Sequence, residues 1–369
     1  MVEVDAAVVG AGVVGLSVAA RLASPKRTVV VIERHERHGL ESSSRNSEVV
    51  HAGLYYPPGT LKARLCFEGR RRLREFCGRH GIFELRTGKL VVAAEESEAP
   101  RLEELLARGR QNGVEGLELV DRRSIQGFAY GVSGAAALWS AESGIVDSEG
   151  LMRRLLAHAQ EGGAIFLWKS ELRGVEPGPG GYRLRFDGMG EAVLARAVVN
   201  AAGLHADRVA EMAGIGADEA GYRIHWFKGE YFAVKRELTV RPLVYPLPPA
   251  KGGLGIHLTV DREGGHRLGP SSFPVTSLDY SVDPAHREAF FEAGRRFLPD
   301  LAPDDLSPGT SGIRPKLSAD GSFRDFVIAE ETSRGLPGWV DLVGIESPGL
   351  TACLSIADFV GNLLELSSP

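Results

Sequence analysis

The chain has 369 residues, 43% of them hydrophobic and 25% charged, with 43 basic and 48 acidic side chains giving a net charge of −5. That length supports two lobes and a substantial core, and the mild acidity argues against nucleic acid as a main partner. Cys66, Cys77 and Cys353 are too few and too scattered for a disulfide framework or a zinc site, and no run approaches the roughly eighteen apolar residues of a membrane span.

The N-terminus enters a strand pattern directly, without the charged and apolar regions of a signal peptide. With reduced cysteines this predicts a cytoplasmic protein and leaves peripheral membrane contact open. Residues 5–9 form an apolar run, followed by Gly10-Ala11-Gly12-Val13-Val14-Gly15, an apolar-periodic segment 16–22, and a second apolar run 28–32 ending on Glu33. Strand, glycine turn, helix, strand and acid are the order of a dinucleotide-binding βαβ unit, with a plain structural turn as the alternative. Gly10 permits the tight turn, Gly12 lets backbone approach a pyrophosphate, and Gly15 lets helix and strand pack closely. The helix start, with Val13 and Val14, then offers unpaired amides to phosphates. Glu33 lies eighteen positions after Gly15, where a carboxylate accepts hydrogen bonds from a ribose diol. This unit by itself admits NAD as readily as FAD.

Residues 34–46 read either as a solvated loop or as a phosphate-side loop, in which hydroxyls and an arginine bond phosphate oxygens. The segment 48–59 carries His51, Tyr55, Tyr56 and two glycines, unusual for a plain connector. Thr60 is placed to cap a helix to about residue 80, stopped by Gly81. The arginines at 70–72 and 74 read as its solvated face. A strand at 89–94, a helix at 100–111 and short β-like pieces over 116–146 suggest a second lobe inserted into the first. Asp147 or Ser148 caps a helix through 160, and 164–168 reads as a buried strand.

Residues 171–175 and 182–186 predict a hairpin around the glycine-proline turn 177–181. The following arm, 192–199, leads to Asn200-Ala201-Ala202-Gly203, small residues that permit close backbone contact with a ligand. A β-rich stretch over 217–280 holds His225, Lys228, Tyr231, Tyr245 and His257. Residues 284–298 read as helical. The last segment reads as Gly312-Ile313-Arg314-Pro315, a hairpin around Asp320-Gly321, a strand at 340–343, and a helix at 350–364. Its glycine-preceded start is a second anion or carbonyl site.

The expected fold is α/β (α+β), with a discontinuous Rossmann-like nucleotide lobe from 1–87, 147–216 and 305–369. A mixed-sheet substrate lobe comes from 88–146 and 217–304. A lobe assembled from the beginning, middle and end of the chain suits a large, tightly held FAD better than a mobile nicotinamide cosubstrate.

Arg45-Asn46-Ser47-Glu48-Val49-Val50-His51-Ala52-Gly53-Leu54-Tyr55-Tyr56, with Pro58-Gly59-Thr60-Leu61-Lys62-Ala63, closely resembles the L-2-hydroxyglutarate oxidase/dehydrogenase family. That family sits within the glycine-oxidase-like, D-amino-acid-oxidase-like flavoproteins. The resemblance continues in Lys228-Gly229-Glu230-Tyr231-Phe232, Tyr245-Pro246, 255–259, Gly269-Pro270, 312–315 and 347–351, and so spans nearly the whole chain. It implies a nucleotide lobe of the glutathione-reductase type and an extended FAD whose isoalloxazine ring lies between the lobes. Three departures stand out. Lys228 replaces an arginine, Ser271-Ser272 replace an asparagine-alanine pair, and Glu48 replaces a glycine. Arg and Lys hold a carboxylate differently, so the first departure bears on the distal-carboxylate contact.

The expected reaction is oxidation of a small 2-hydroxy acid, foremost L-2-hydroxyglutarate, to the 2-oxo acid by hydride transfer to flavin N5. The alternatives are an amine or amino-acid oxidase of the glycine/sarcosine type and a flavin-binding protein without catalysis. A guanidinium fork matches a carboxylate, and the resemblance puts Arg314 at the flavin, so Arg314 is the expected anchor. His51 is the first candidate for the base, His257 its competitor. Tyr55, Lys228 and Tyr245 are expected substrate contacts. Expected cofactor contacts are Gly10, Gly12, Val13, Val14, Gly15, Glu33, Arg34, Ser43, Ser44, Asn46, Ser47, His51, Val175, Ala201, Ala202, Gly203 and Arg314. To these are added Ser347, Pro348, Gly349, Leu350 and Thr351, whose backbone would stabilise negative charge on reduced flavin. Oxygen or a quinone is the expected electron acceptor.

Overall fold

The computed structural model describes residues 2–187, 192–248 and 255–364. Its first sheet grows outward from the strand Val2–Val9, which pairs in parallel with Val29–Ile32 on one side and Val193–Asn200 on the other. Ile165–Leu167 extends it beyond Val29–Ile32. The end of Val193–Asn200 pairs with Trp339–Val343, and its start with the hairpin arm Gly181–Phe186, which pairs in turn with Leu172–Gly178. Val and Ala dominate the central strands because both faces of a parallel sheet are covered. Val13–Leu22, Ser148–Glu161 and Gly349–Leu363 cover one face, and Ala206–Met212 with the hairpin side covers the other.

Among the described residues the second sheet holds nine strands. Its middle runs through His225–Val234, His266–Gly269, His257–Val260, Leu243–Pro246 and Lys89–Ala93, and Ala136–Ser140 with Leu117–Asp121 finish one side. Leu306–Lys316 pairs antiparallel along nearly the whole of His225–Val234. The expected lobe boundary at 305 is therefore corrected: residues 306–316, Arg314 included, are a strand of the second sheet. The chain re-enters the first sheet at Val327–Glu330. The same pairing corrects the hairpin expected around Asp320-Gly321, because strands 306–316 and 327–330 belong to different sheets. Residues 317–326 are the crossing between them.

Local chemistry sets several element ends. Thr60 accepts from the Ala63 amide, and the following helix Leu61–His80 stops at Gly81 in the left-handed region (φ 65°). Asp147 caps Ser148–Glu161 by accepting from Gly150. Pro100 opens Pro100–Gln111. Two expectations are trimmed. Residues 165–167 form a half-exposed edge strand, not a buried one, with Ile165 48% exposed. The helix expected over 284–298 is a 3-10 turn at Pro284–His286 followed by Arg287–Gly294. A short helix, Ile125–Phe128, also interrupts the β-like pieces of 116–146.

Among the described residues, no helix is long and apolar enough to cross a membrane.

Candidate active site

A single cavity of about 1010 Å³ runs from the glycine turn to the second sheet. At one end it is lined by Gly10, Gly12, Val13, Val14, Gly15, Glu33, Arg34, Ser43, Ala201, Ala202 and Gly203. At the other it is lined by Asn46, Ser47, His51, Tyr55, Tyr245, His257, Arg314 and the turn of Ser347, Pro348, Gly349, Leu350 and Thr351. Folding brings these segments together although Gly10 and Thr351 are more than 300 positions apart.

The glycine end is a cradle that side chains would fill. A Cβ on Gly10 would come within 2.6 Å of the Ala201 carbonyl oxygen, and one on Gly15 within 2.0 Å of the Gly10 oxygen. Glu33 holds the turn in shape, its carboxylate accepting from the Ala11 amide at 2.7 Å and the His35 amide at 2.9 Å. The Val13 amide donates to Ser43 Oγ at 3.0 Å, which pins the polar loop against the helix start. First-turn amides have no intrahelical acceptor, so this end suits a pyrophosphate and the acid beside it a ribose diol. The cavity's length and its second helix start, at Gly349–Leu363, suit a long anionic cofactor gripped at both ends.

At the second end, Thr351 Oγ1 accepts from the His51 amide at 3.1 Å and donates to the Val49 carbonyl at 3.3 Å. This ties the histidine segment to the terminal helix. His51 Nε2 lies 3.2 Å from Ser347 Oγ, and its Nδ1 is buried without a partner. Burial, reinforced by the charges of Lys89 and His257, holds the His51 imidazole well below its ordinary pKa. His257 Nδ1 lies 2.9 Å from the Gly255 carbonyl. A carbonyl only accepts, so Nδ1 carries the proton and Nε2 keeps its lone pair, buried and unpartnered. Burial pulls the pKa of His257 down to about 3. Both rings are thus neutral at neutral pH, the form a base requires.

His257 stacks on Tyr245 with ring centroids 3.7 Å apart, and Tyr245 stacks in turn on Tyr55 at 6.4 Å. Both tyrosine hydroxyls are buried without a partner, and burial pushes both phenols above their ordinary range. Arg314 projects from Leu306–Lys316 with no carboxylate partner among the described residues and one long contact, Nη1 to the Ser271 carbonyl at 3.5 Å. Glu346 lies on the same wall and feels the charge of Arg314, but its carboxylate is ion-paired with Lys62, so the guanidinium is available for a substrate carboxylate.

Three expected contacts fall elsewhere. Lys228 is buried but turned to the other face of its strand, where Nζ meets Asp279 at 2.9 Å and Glu230 at 3.9 Å. Strand alternation is the reason: Gly229 and Tyr231 face the cavity, so Lys228 and Glu230 cannot. Ser44 is exposed and donates to the Glu41 carbonyl at 3.3 Å, while its neighbours Ser42 and Ser43 line the cavity. Val175 lies in the apolar core of the first sheet, and the strand reaches the cavity three residues earlier, at Leu172.

The departure at Glu48 has a structural basis. Its φ is 58°, in the region that favours glycine, and its Oε1 accepts from both the amide (3.0 Å) and the hydroxyl (2.7 Å) of Ser148, which offsets the cost. The sequence also gave no hint of two features. Lys62, Glu346 and Lys316 meet at the cavity wall, with Lys62 Nζ 2.9 Å and Lys316 Nζ 3.8 Å from the carboxylate. Burial pushes Glu346 up, but the two ammoniums outweigh it. Lys89, at the start of the strand expected over 89–94, is 1% exposed and its ammonium lies 3.9 Å from the centroid of the Tyr245 ring.

The family model described as FAD dependent oxidoreductase (DAO) matches residues 5–363. Over 98% of its length the chain is 38% identical to the mitochondrial L-2-hydroxyglutarate dehydrogenase of Arabidopsis thaliana, 83% of which is covered. It is 31% identical to the Homo sapiens protein of the same name, over 97% of this chain and 88% of that one. Among solved structures, an FAD-bound L-alpha-glycerophosphate oxidase from Mycoplasma pneumoniae superposes with a TM-score of 0.90 at 24% identity, covering 100% of this chain and 96% of the other. Glycine oxidase from Geobacillus kaustophilus follows at a TM-score of 0.83 and 21% identity, with 100% and 96% covered. These two show the fold, which carries a Rossmann-like FAD-binding lobe and a mixed-sheet lobe. The glycine cradle, the acid beside it and the two helix starts on one long cavity fit the cofactor that this family uses. The chain belongs to the FAD-dependent oxidoreductases of the DAO family.

Proposed function

We propose that this enzyme oxidises L-2-hydroxyglutarate to 2-oxoglutarate. The observation that carries the reading is the meeting of two neutral histidines with an arginine that has no ion-paired carboxylate among the described residues, at the far end of the cavity from the glycine cradle. The L-2-hydroxyglutarate dehydrogenases that resemble the chain along nearly its whole length supply the substrate.

In this reading the glycine turn, Glu33, Ser43 and residues 201–203 hold the ADP portion of FAD, and the 347–351 turn with His51 holds the ring portion. FAD supplies the two-electron acceptor for the hydride on the substrate's Cα. Arg314 anchors the carboxylate next to the reacting carbon, and the Tyr55 and Tyr245 hydroxyls offer hydrogen bonds to substrate oxygens. His51 accepts the hydroxyl proton, its place fixed by Thr351 and Ser347. His257, held by Gly255, shapes the wall beside it. The electrons leave to a second acceptor, oxygen or a quinone. A cytoplasmic location goes with the three buried free thiols, and fractionation of the source cell tests it.

Anaerobic mixing with L-2-hydroxyglutarate should bleach the flavin absorbance of the purified enzyme. Bleaching by glycine or sarcosine, with none by any 2-hydroxy acid, overturns the proposal in favour of an amine oxidase.

A further inference from the structure

Lys89 is a buried charge that the proposed reaction does not use. It opens the strand Lys89–Ala93 in the middle of the second sheet, paired between Leu243 and Ser140, and is 1% exposed. No carboxylate pairs with it among the described residues. Its Nζ lies 3.9 Å from the centroid of the Tyr245 ring and 5.3 Å from that of Tyr55. The other aromatic neighbour of Tyr245 is His257, at 3.7 Å. The ammonium is thus one ring's thickness behind the wall that Tyr55, Tyr245 and His257 present to the cavity.

An unpaired buried ammonium is costly, and cation–π contacts recover only part of that cost. A fold tolerates such a charge where an anion completes it, and strongly perturbed groups cluster at working sites. The reaction brings an anion to this wall, since the proposed substrate is a dicarboxylate.

We infer that Lys89 is a positioning residue: its ammonium, acting through the Tyr245 and Tyr55 rings, is the fixed counter-charge that draws a carboxylate substrate to the His51 and His257 end of the cavity. The inference rests on the carboxylate reading of the site given above. The groups facing Lys89 are consistent with it. Tyr55 and Tyr245 stay neutral, and burial pushes the Cys66 thiol up to about 12. The two histidines stay uncharged. Lys89 itself is pulled by burial down to about 7, so it is the group of this cluster that titrates near neutrality. An anion in the cavity favours the charged form, so binding takes up a proton. Affinity is then full below the pKa of Lys89 in the empty cavity and falls as the pH rises through it. One-proton linkage limits the slope to about tenfold per pH unit.

The test uses FAD-loaded wild type, Lys89→Met and Lys89→Arg, with glutarate and propionate as probes read by perturbation of the flavin spectrum across pH. Wild type should bind more weakly as the pH rises through neutrality. Lys89→Met should bind at least about tenfold more weakly, with no such pH dependence. Lys89→Arg, which keeps its charge, should restore affinity and remove the pH dependence. Thermal unfolding separates this role from a structural one. The neutral, similarly shaped Met removes an unpaired buried charge and should leave the melting temperature equal or higher. Lys89→Met binding both probes as wild type does, with the same pH dependence, overturns the inference and leaves the carboxylate reading standing. Propionate binding with the expected Lys89 behaviour but no glutarate binding supports the inference and removes the dicarboxylate substrate. Wild type binding neither probe overturns both.

Discussion

Two alanine substitutions in the glycine turn should fail in different ways, for reasons that the backbone makes explicit. A Cβ at Gly15 would sit 2.0 Å from the Gly10 carbonyl oxygen. Relieving that contact means moving backbone, and Gly10 is fixed by its amide's 2.8 Å bond to Ile32. Overpacking costs about 1–3 kcal/mol, and a backbone obstacle puts Gly15→Ala near the upper end. With an unfolding entropy of about 2.1 cal/mol/K per residue, roughly 0.8 kcal/mol/K for this chain, the apoprotein should melt about 2–4 °C lower. Gly12 differs. Its φ of −74° suits any residue, and its Cβ would meet the Ser43 hydroxyl at 2.9 Å, which can move away only by giving up its bond from the Val13 amide. Gly12→Ala should therefore cost the apoprotein about 1 kcal/mol, the worth of one hydrogen bond and less than Gly15→Ala. Its methyl nevertheless occupies the space through which backbone meets the pyrophosphate. Calorimetry of the apoproteins and FAD titration of each variant read the two effects separately. Gly12→Ala should lose FAD affinity with the smaller loss of stability, and Gly15→Ala should lose affinity with the larger one. Wild-type FAD affinity in Gly12→Ala would refute the placement of the pyrophosphate, and an unchanged melting temperature in Gly15→Ala would refute the backbone contact.

Arg314→Ala should raise KM for L-2-hydroxyglutarate by about a hundredfold, the loss of one charge-assisted bidentate contact of roughly 3 kcal/mol; a KM within threefold of wild type removes Arg314 as the anchor. His51→Asn should slow flavin reduction by about 10²–10⁴-fold in stopped flow, the usual worth of a general base. Normal reduction in His51→Asn with slow reduction in His257→Asn would reverse the two roles. Because burial depresses both imidazoles, the reduction rate should hold as the pH falls through the ordinary histidine range near 6.5. Linkage runs the other way for stability. The unfolded chain binds protons at these histidines that the folded protein refuses, so their contribution is complete above about 6.5 and declines as the pH falls toward the folded values. Lys228→Met should leave KM unchanged within about twofold, since the side chain faces Asp279 and Glu230; a large rise would mean that the strand presents its other face to the substrate.

What the sequence determined by itself was local and periodic. The glycine spacing, the apolar runs around it and Glu33 defined the βαβ unit, because each depends on residues within a few turns of one another. Thr60 with Gly81 and Asp147 set helix ends by short-range hydrogen bonds. The segment around His51 carried the resemblance that pointed to a 2-hydroxy acid. Tertiary structure decided which of the nominated side chains share the cavity. Lys228 and Arg314 lie on paired strands, with Lys228 opposite Ile313 and Arg314 opposite Phe227. That register, together with the two-residue alternation of a strand, sends the arginine into the cavity and the lysine out of it, and no local pattern encodes it. The crossing at 317–326 depends likewise on which sheet each flanking strand joins. Lys89 was hidden for the same reason: its burial emerges only when the sheet and two tyrosines from distant segments close over it.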